Sequence, residues 1–421
     1  MSKFFHLWLK RYSQVKWVLA DQIMVSGMNF LTGVLLARFL GVESYGQFVL
    51  LYAVLLYVNV LQVALIIAPM ISIAPQISSD AERNKYFKGL ITLQLLSSFI
   101  LSIIIFSGGQ VVEKHYHLWN VDVNILLPLT TTILFFQLQD WLRRYYFVCR
   151  KGKAVFINDG ISYGGQIALL ILLYRLGSLS IANAFWAIAL SSAIAFLIGI
   201  LTEKIWPVLG YALPALRRSW QFGRDLLLSG QIYWASSQGI LIFGATILGA
   251  KAAGGIRAAQ NIVGPINILF QGMENIIPIQ AAQHYGQHQL PGLKNYLKKV
   301  SLLGGLLLAV PCVIIACFSQ QLIELAYGES YADYGTLIVW QVIIAFIGFF
   351  RLQAFYFFRT IGCTKEILLN TIVASIVAFI FTGVFVYRLQ ETGIMLALVF
   401  SEAAGLIFAL KAARKYFDKV K

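Results

Sequence analysis

The sequence predicts an all-α polytopic membrane protein of about twelve transmembrane helices, arranged as two parallel six-helix lobes around a central cavity. Three observations predict it. Apolar runs of spanning length recur along the whole chain, Lys and Arg collect on one side of those runs, and landmarks of the first half return in the second. Of the 421 residues, 59% are hydrophobic and 12% charged, and the mean hydropathy is +0.75. Soluble domains carry about twice that charge fraction. A hydrocarbon core about 30 Å thick needs about 20 apolar residues per helix, and the chain offers that length repeatedly. Barrel spans would be alternating segments of about ten residues, and these are absent.

The N-terminal stretch MSKFFHLWLKRYSQVKWVLADQ has no short apolar core followed by a small-residue cleavage site. It reads as a retained amphipathic lead, with Phe4, Phe5, Leu7 and Trp8 at the interface and Lys10, Arg11 and Lys16 toward lipid headgroups. Twelve spans follow, over residues 17–40, 45–69, 89–107, 123–142, 156–175, 180–201, 223–249, 254–280, 300–318, 335–358, 367–388 and 392–411. An even count returns both termini to one face. With the N-terminus in the cytoplasm, 27 of the 33 Lys and Arg fall on the inner side, the other six being Arg38, Lys114, Arg175, Lys251, Arg257 and Arg388. Cytoplasmic loops collect these residues, so both termini are expected on the cytoplasmic side. The same rule accounts for the net charge of +15 without nucleic acid. The longest connection, TEKIWPVLGYALPALRRSWQF, lies between the sixth and seventh spans. It divides the chain into an N-terminal lobe (1–205), a cytoplasmic linker (206–222) and a C-terminal lobe (223–421). No soluble catalytic domain fits anywhere. Cys149, Cys312, Cys317 and Cys363 have no metal-like spacing and read as small membrane hydrophobes.

The corner ARFLGVESYGQF, at 37–48, has a counterpart in ILGAKAAGGI, at 247–256. Gly41 maps to Gly249 and Gly46 to Gly254, at an offset of 208. Gln22 and Ile23 match Gln231 and Ile232, and Gln62 and Pro69 match Gln271 and Pro278. Tyr86 and Lys88 match Tyr296 and Lys298, and Lys153 and Asn158 match Lys365 and Asn370. The shared order and the slow drift of the offset mark an internal repeat. A six-helix unit repeated after an even number of spans keeps its orientation, so the halves are parallel repeats with a binding site expected at their interface near the midplane. At the corners themselves glycine serves the tight turn.

Polar residues inside spans are the functional candidates. In the eighth span, Arg257, Asn261, Asn267, Gln271 and Glu274 share one helical face, with Gln260 and Asn275 alongside. The second span shows Tyr45, Tyr52, Asn59, Gln62 and Pro69. The first shows Gln22, Ser26 and Asn29 beside Asp21, and the seventh Gln231, Trp234 and Gln238. These are the repeat-related pairs one/seven and two/eight, which suits a wet cavity between the lobes. Interhelical hydrogen bonding is the plainer alternative. Asp21, about one turn inside the cytoplasmic end, is a candidate coupling site for H+ or Na+, or an interfacial partner of Lys16 or Arg224. Arg257 can attract a diphosphate or an acidic sugar, or snorkel. Glu274 is expected in the lumen. Arg38 suits pairing with Glu43 as well as ligand contact, and Arg351 suits the lumen as well as the interface. Asp140 with Arg143 and Arg144 reads as an intrahelical ion pair, and Asp159 as the N-cap of the fifth helix. For Glu402, isolated among small residues, a polar contact within the C-terminal lobe is the one role the sequence suggests. No metal or other cofactor is expected.

The polar first helix, then LLARFLGVESYGQF, then LLYVNVLQVALIIAPMIS, resemble the polysaccharide transporter branch of the MATE-like (MOP) superfamily. These are the Wzx-type flippases of O-antigen, capsule and exopolysaccharide repeat units. The specific piece is Arg38-Phe39-Leu40-Gly41 followed by Tyr45-Gly46. The lipid II flippases of the superfamily usually carry two further spans, which this chain lacks. The resemblance implies lobes that rock between inward-open and outward-open states, with the first, second, seventh and eighth helices facing the cavity. The implied cargo is a polyprenyl-diphosphate-linked oligosaccharide, with membrane lipids and other polysaccharide-assembly membrane proteins as partners. A drug or metabolite antiporter of the same fold is the alternative, and it would favour acidic charge in the N-terminal lobe, where Asp21 and Asp159 are the inner candidates. A membrane polysaccharide polymerase or ligase is the third. It would want a large outer loop, whereas the outer side offers short loops with His115 and His117, and no nucleophile stands at useful spacing from a base.

The orientation is directly testable. In a background without the four native cysteines, His115→Cys is expected to react with an impermeant thiol reagent applied outside the cell. Leu209→Cys and Asn295→Cys are expected to react after lysis alone. Outside labelling at 209 would reverse the assignment.

Overall fold

Many of the breaks between helices fall at residues with positive φ, among them Gly41, Arg150, Gly177, Lys204, Gly249, Gln289, Gly362 and Gln390. The computed structural model describes residues 2–116 and 123–418, apart from the side chains of residues 2–15 and of some positions inside helices. The interfacial side chains expected in the lead, and His115 and His117, lie outside the described residues. Among the described residues there are helices and no strand. The protein is all-α and polytopic.

In chain order the helices are α1 (2–40), α2 (42–76), α3 (Asp80–Tyr116), α4 (Leu126–Val148), α5 (Gly152–Arg175) and α6 (Ile181–Glu203). They continue as α7 (209–248), α8 (250–287), α9 (290–317), α10 (Gly335–Thr360), α11 (364–389) and α12 (391–418). A short helix, Ser319–Tyr327, joins α9 to α10. Seven segments of the described chain are long and apolar enough to cross a membrane, among them Ala20–Gln76 with the break at Gly41 and Lys365–Tyr416 with the break at Gln390. The helix Leu126–Val148 is not among them, and it carries Asp140, Arg143 and Arg144. Three helices contain one π-turn each: Val63–Ile67 in α2, Gly160–Gly164 in α5 and Ala235–Gly239 in α7. Each follows or includes a polar position, Gln62, Asp159 and Gln238 respectively, and π-turns are frequent at functional sites.

The chain forms two compact units, Met1–Gln231 and Ile232–Lys421. The division falls inside α7. Residues 209–222, expected as part of a linker, are the first turns of that helix and belong to the first unit. They pack on α3, where Tyr86 Oη and Ser219 Oγ lie 3.3 Å apart and the Val208 amide donates to Thr92 Oγ1 at 2.8 Å. The first unit's core gathers Trp141, Leu142, Tyr146, Phe87, Leu90 and Ile91. The second gathers Tyr356, Phe357, Phe358, Leu293 and Ala409. On the outside, Phe99, Ile100, Ile103 and Ile104 of α3 and Leu302, Leu306, Leu307 and Val310 of α9 are all at least half exposed. Such surfaces belong against lipid.

The repeat is written into the corners of the two units. Gly41 (φ 79, ψ 167) and Gly249 (φ 88, ψ 171) share one backbone conformation. Arg150 and Gly362, 212 residues apart, both have positive φ between α4 and α5 and between α10 and α11. Gly177 and Gln390 do the same after the matching dipeptides Arg175-Leu176 and Arg388-Leu389. The Gly41 and Gly249 conformation is essentially glycine-only. An added Cβ would meet nothing within 4 Å at either place, so the backbone alone imposes the choice. Gly41→Ala and Gly249→Ala are each expected to destabilise the protein by about 1–3 kcal/mol. Gly27→Ala, on open helix, is expected to be neutral or stabilising. Thermal unfolding of the three variants in detergent checks this, and equal melting of all three would refute it.

Candidate polar site of the first unit

The first and fifth helices meet along a ladder of contacts. Trp17 and Phe156 have ring centroids 5.3 Å apart. A Cβ at Gly160 would lie 3.8 Å from Met24 Sδ, and one at Gly164 would lie 3.7 Å from Met28 Cε. Gln166 Nε2 donates to Thr32 Oγ1 at 3.1 Å. Small residues four apart let membrane helices approach closely, and this approach places Asp21 of α1 beside Asp159 of α5.

Between them comes Arg143 of α4. Its Nη2 donates to Asp21 Oδ2 at 3.0 Å and its Nε to Asp159 Oδ2 at 2.5 Å. Asp21 and Asp159 are fully buried and Arg143 is 7% exposed. Gln139, one turn before Arg143, donates to Asp159 Oδ1 at 2.8 Å and to Asn158 Oδ1 at 3.2 Å. Asn158 in turn donates to the Ala195 carbonyl of α6 at 2.8 Å. Asp21 Oδ1 is buried with no hydrogen-bond partner among the described residues. Two acidic side chains thus face one guanidinium, one acid more than the cation pairs with.

A second polar group adjoins the first. Asn59 Nδ2 lies 3.5 Å from Gln137 Oε1 and 3.4 Å from Asp140 Oδ2, and Gln62 Nε2 donates to the Gln137 carbonyl at 3.0 Å. Asp140 also accepts from Arg144 Nε at 3.4 Å. Gln62 Oε1 and Gln137 Nε2 are buried without partners among the described residues.

These contacts correct three expectations. Asp21 pairs with Arg143 rather than with Lys16 or Arg224. Arg143 leaves the intrahelical pair to Asp140 and Arg144, because its guanidinium reaches the two carboxylates of neighbouring helices. Asp159 does not cap a helix: α5 begins at Gly152, two residues past the positive-φ corner at Arg150, so Asp159 is already in its third turn. The sequence cues to Asp159 are its acidic charge within the N-terminal lobe and its place directly after Asn158, a repeat landmark.

The second unit builds a different cluster on the same frame. Arg351 of α10 donates from Nε to Asn370 Oδ1 and from Nη1 to Glu402 Oε1, both at 2.8 Å. Asn370 donates to the Gly405 carbonyl of α12 at 2.5 Å. Asn370 stands where Asn158 stands in the first unit, and Arg351 where Gln139 stands, each 212 residues on. Arg351 and Glu402 thereby acquire the role the sequence left open: one cation and one anion in balance within the second unit.

Other expected site residues are placed less tightly. Gln22 is half-buried, and Arg38 and Asn29 are exposed. Arg257 is half-buried with Gln260 Oε1 at 3.4 Å, and no carboxylate pairs with it among the described residues. Asn261, Gln231 and Gln238 are half-buried, and Gln231 Nε2 is buried without a partner among the described residues. The side chains of Asn267, Gln271 and Glu274 lie outside the described residues. The structure therefore joins Asp21, Asn59 and Gln62 through α4.

The fold is that of the transporters of the MOP superfamily. It matches a multidrug resistance MATE family transporter in an inward-facing conformation with a TM-score of 0.75, at 17% identity, over 92% of this chain and 93% of that one. It matches the lipid II flippase MurJ in an inward closed conformation with a TM-score of 0.71, at 13% identity, over 94% and 87%. A MOP superfamily transporter from Pyrococcus furiosus gives 0.61 at 16% identity, over 98% and 96%. At such identities the likeness speaks for the fold alone. A model of the family described as polysaccharide biosynthesis protein matches residues 13–284, and the chain belongs to that family. It is 23% identical over 329 residues to the uncharacterized membrane protein EpsK of Bacillus subtilis (strain 168), covering 72% of this chain and 62% of that protein. The chain therefore spans less than two thirds of that relative's length. The resemblance read from the Arg38–Gly46 corner is borne out at the level of the family, and the fold is the one it implied.

Charge balance makes the cluster's energetics testable. Removing Arg143 leaves two buried carboxylates unpaired, which costs about 3–5 kcal/mol. Asp21→Asn leaves the neutral pair Arg143–Asp159. Thermal unfolding is expected to rank Arg143→Gln far below Asp21→Asn, which should melt close to the parent. The reverse order would mean that the arginine is not held by these acids.

Proposed function

We propose that this protein is a carrier, not an enzyme, that moves polyprenyl-diphosphate-linked oligosaccharides from the cytoplasmic to the outer leaflet by alternating access. Family membership supports the polysaccharide context, and the MOP-superfamily fold supports transport. The cargo has a physical rationale. A sugar headgroup crossing hydrocarbon would leave every hydroxyl without a partner. Buried amides with spare valences, such as Gln62 Oε1 and Gln137 Nε2, suit hydroxyl groups. Arg257, without a carboxylate partner among the described residues, suits a diphosphate or acidic sugar, while the polyprenyl tail stays in lipid.

The single observation that carries the coupling mechanism is the surplus acid at Arg143. A proton or Na+ taken up at the free Oδ1 of Asp21 neutralises the cluster, and its release restores the charge. The two states differ in how strongly α1, α4 and α5 attract one another, which lets an ion gradient bias a conformational equilibrium. The same surplus suits a drug or metabolite antiporter, which remains the second reading.

Two experiments separate these. Asp21→Asn and Asp159→Asn are expected to abolish ion-coupled transport in proteoliposomes while the protein stays inserted and folded. Uptake of lipid-linked oligosaccharide identifies the flippase, and uptake of cationic drugs without it identifies the antiporter. In cells, Arg257→Ala is expected to impair delivery of repeat units to the outer surface, with Arg257→Lys partly restoring it, since charge attraction survives but bidentate geometry does not. Normal delivery by Arg257→Ala at equal membrane abundance would remove this arginine from the mechanism.

A further inference from the structure

Tyr86-Phe87-Lys88-Gly89 on α3 and Tyr296-Leu297-Lys298-Lys299 on α9 hold the same place in the two repeats, 210 residues apart. In the first unit that place is covered. The start of α7 lies on it, with Ser219 Oγ 3.3 Å from Tyr86 Oη and the Arg218 guanidinium 5.7 Å above the Tyr86 ring. A Cβ at Gly89 would run into the Tyr211 carbonyl and lie 2.8 Å from Ala215 Cβ, so glycine is what lets the covering helix sit down.

In the second unit the corresponding place is a groove of about 760 Å³, lined by His284, His288, Asn295, Tyr296, Lys299 and Leu303 among others. The position equivalent to Gly89 is Lys299, an exposed cation in place of the residue that admits a helix. His284 stacks on Tyr296 with ring centroids 4.7 Å apart, which fixes one wall. No carboxylate lines the groove among the described residues. From Leu303 an apolar stripe continues along α9 through Leu307, Val310 and Ile314, steps of four, three and four that keep one helical face. All four side chains are more than half exposed.

A cationic, donor-rich pocket that opens onto an apolar stripe about 16 Å long, roughly one leaflet, has the polarity of an amphiphile. We propose that this groove binds the phosphate of an anionic lipid, with Lys299 and the two histidines around the headgroup and the hydrocarbon chain along Leu303, Leu307, Val310 and Ile314. The site lies wholly within the second unit and does not depend on ion coupling at Asp21. A bulk phospholipid and a polyprenyl phosphate share this chemistry.

Native mass spectrometry of the full-length protein, titrated separately with phosphatidylglycerol, phosphatidylcholine and a polyprenyl phosphate, tests it. The anionic lipids are expected to bind more tightly than phosphatidylcholine. Lys299→Gln combined with His288→Gln should weaken them about tenfold, the loss of one or two charge-assisted hydrogen bonds. Lys299→Arg should bind as the parent does, and Arg217→Gln, an exposed cation on α7, should change nothing. If polyprenyl phosphate outcompetes phosphatidylglycerol, the groove serves the carrier lipid, and equal binding makes it a site for bulk anionic lipid. Binding of phosphatidylcholine as tight as that of the anionic lipids would overturn the proposal. So would anionic binding unchanged in the double variant, or a dimer that the double variant dissolves, which would assign the groove to a second copy of the chain.

Discussion

Arg143 is a full charge in an apolar interior, and its side chain has no water to solvate it. Its guanidinium must find carboxylates, and it finds them on two other helices, Asp21 on α1 and Asp159 on α5. Desolvating such ions costs several kcal/mol each, and the attraction repays this only where geometry and further hydrogen bonds are good. Gln139 and Asn158 supply those bonds and extend them to the backbone of α6. Three helices, α1, α4 and α5, are thereby pinned at one level. The arrangement holds one acidic side chain more than its single cation.

The second unit shows what the same frame does with balanced charge. Asn370 repeats the backbone contact of Asn158, but Arg351 replaces Gln139 and Glu402 answers it from α12. The close approach depends on a missing Cβ, since one built at Gly405 would lie 2.7 Å from Arg351 Nε. Two repeats of one fold have diverged into one unit with two acids on one arginine and one with a single Arg351–Glu402 pair.

The amino-acid sequence by itself determined the class of fold and its periodicity, because both rest on local quantities. Hydropathy over about 20 residues decides whether a helix can live in lipid. Glycines that alone tolerate an extended positive-φ conformation mark the corners at 41 and 249, and the recurrence of corners and asparagines records the duplication. The Arg38–Gly46 corner also carried the family. The polar residues were visible as candidates because each is costly in a membrane helix. What tertiary structure alone decided was their partners. Asp159 sits beside a plausible cap position, and Arg143 and Arg144 sit at equally plausible spacings from Asp140. Helical geometry cannot choose between them. The choice fell to the depth at which α1, α4 and α5 cross, because a buried charge pairs with whatever opposite charge the packing brings within 3 Å, and sequence distance plays no part in that.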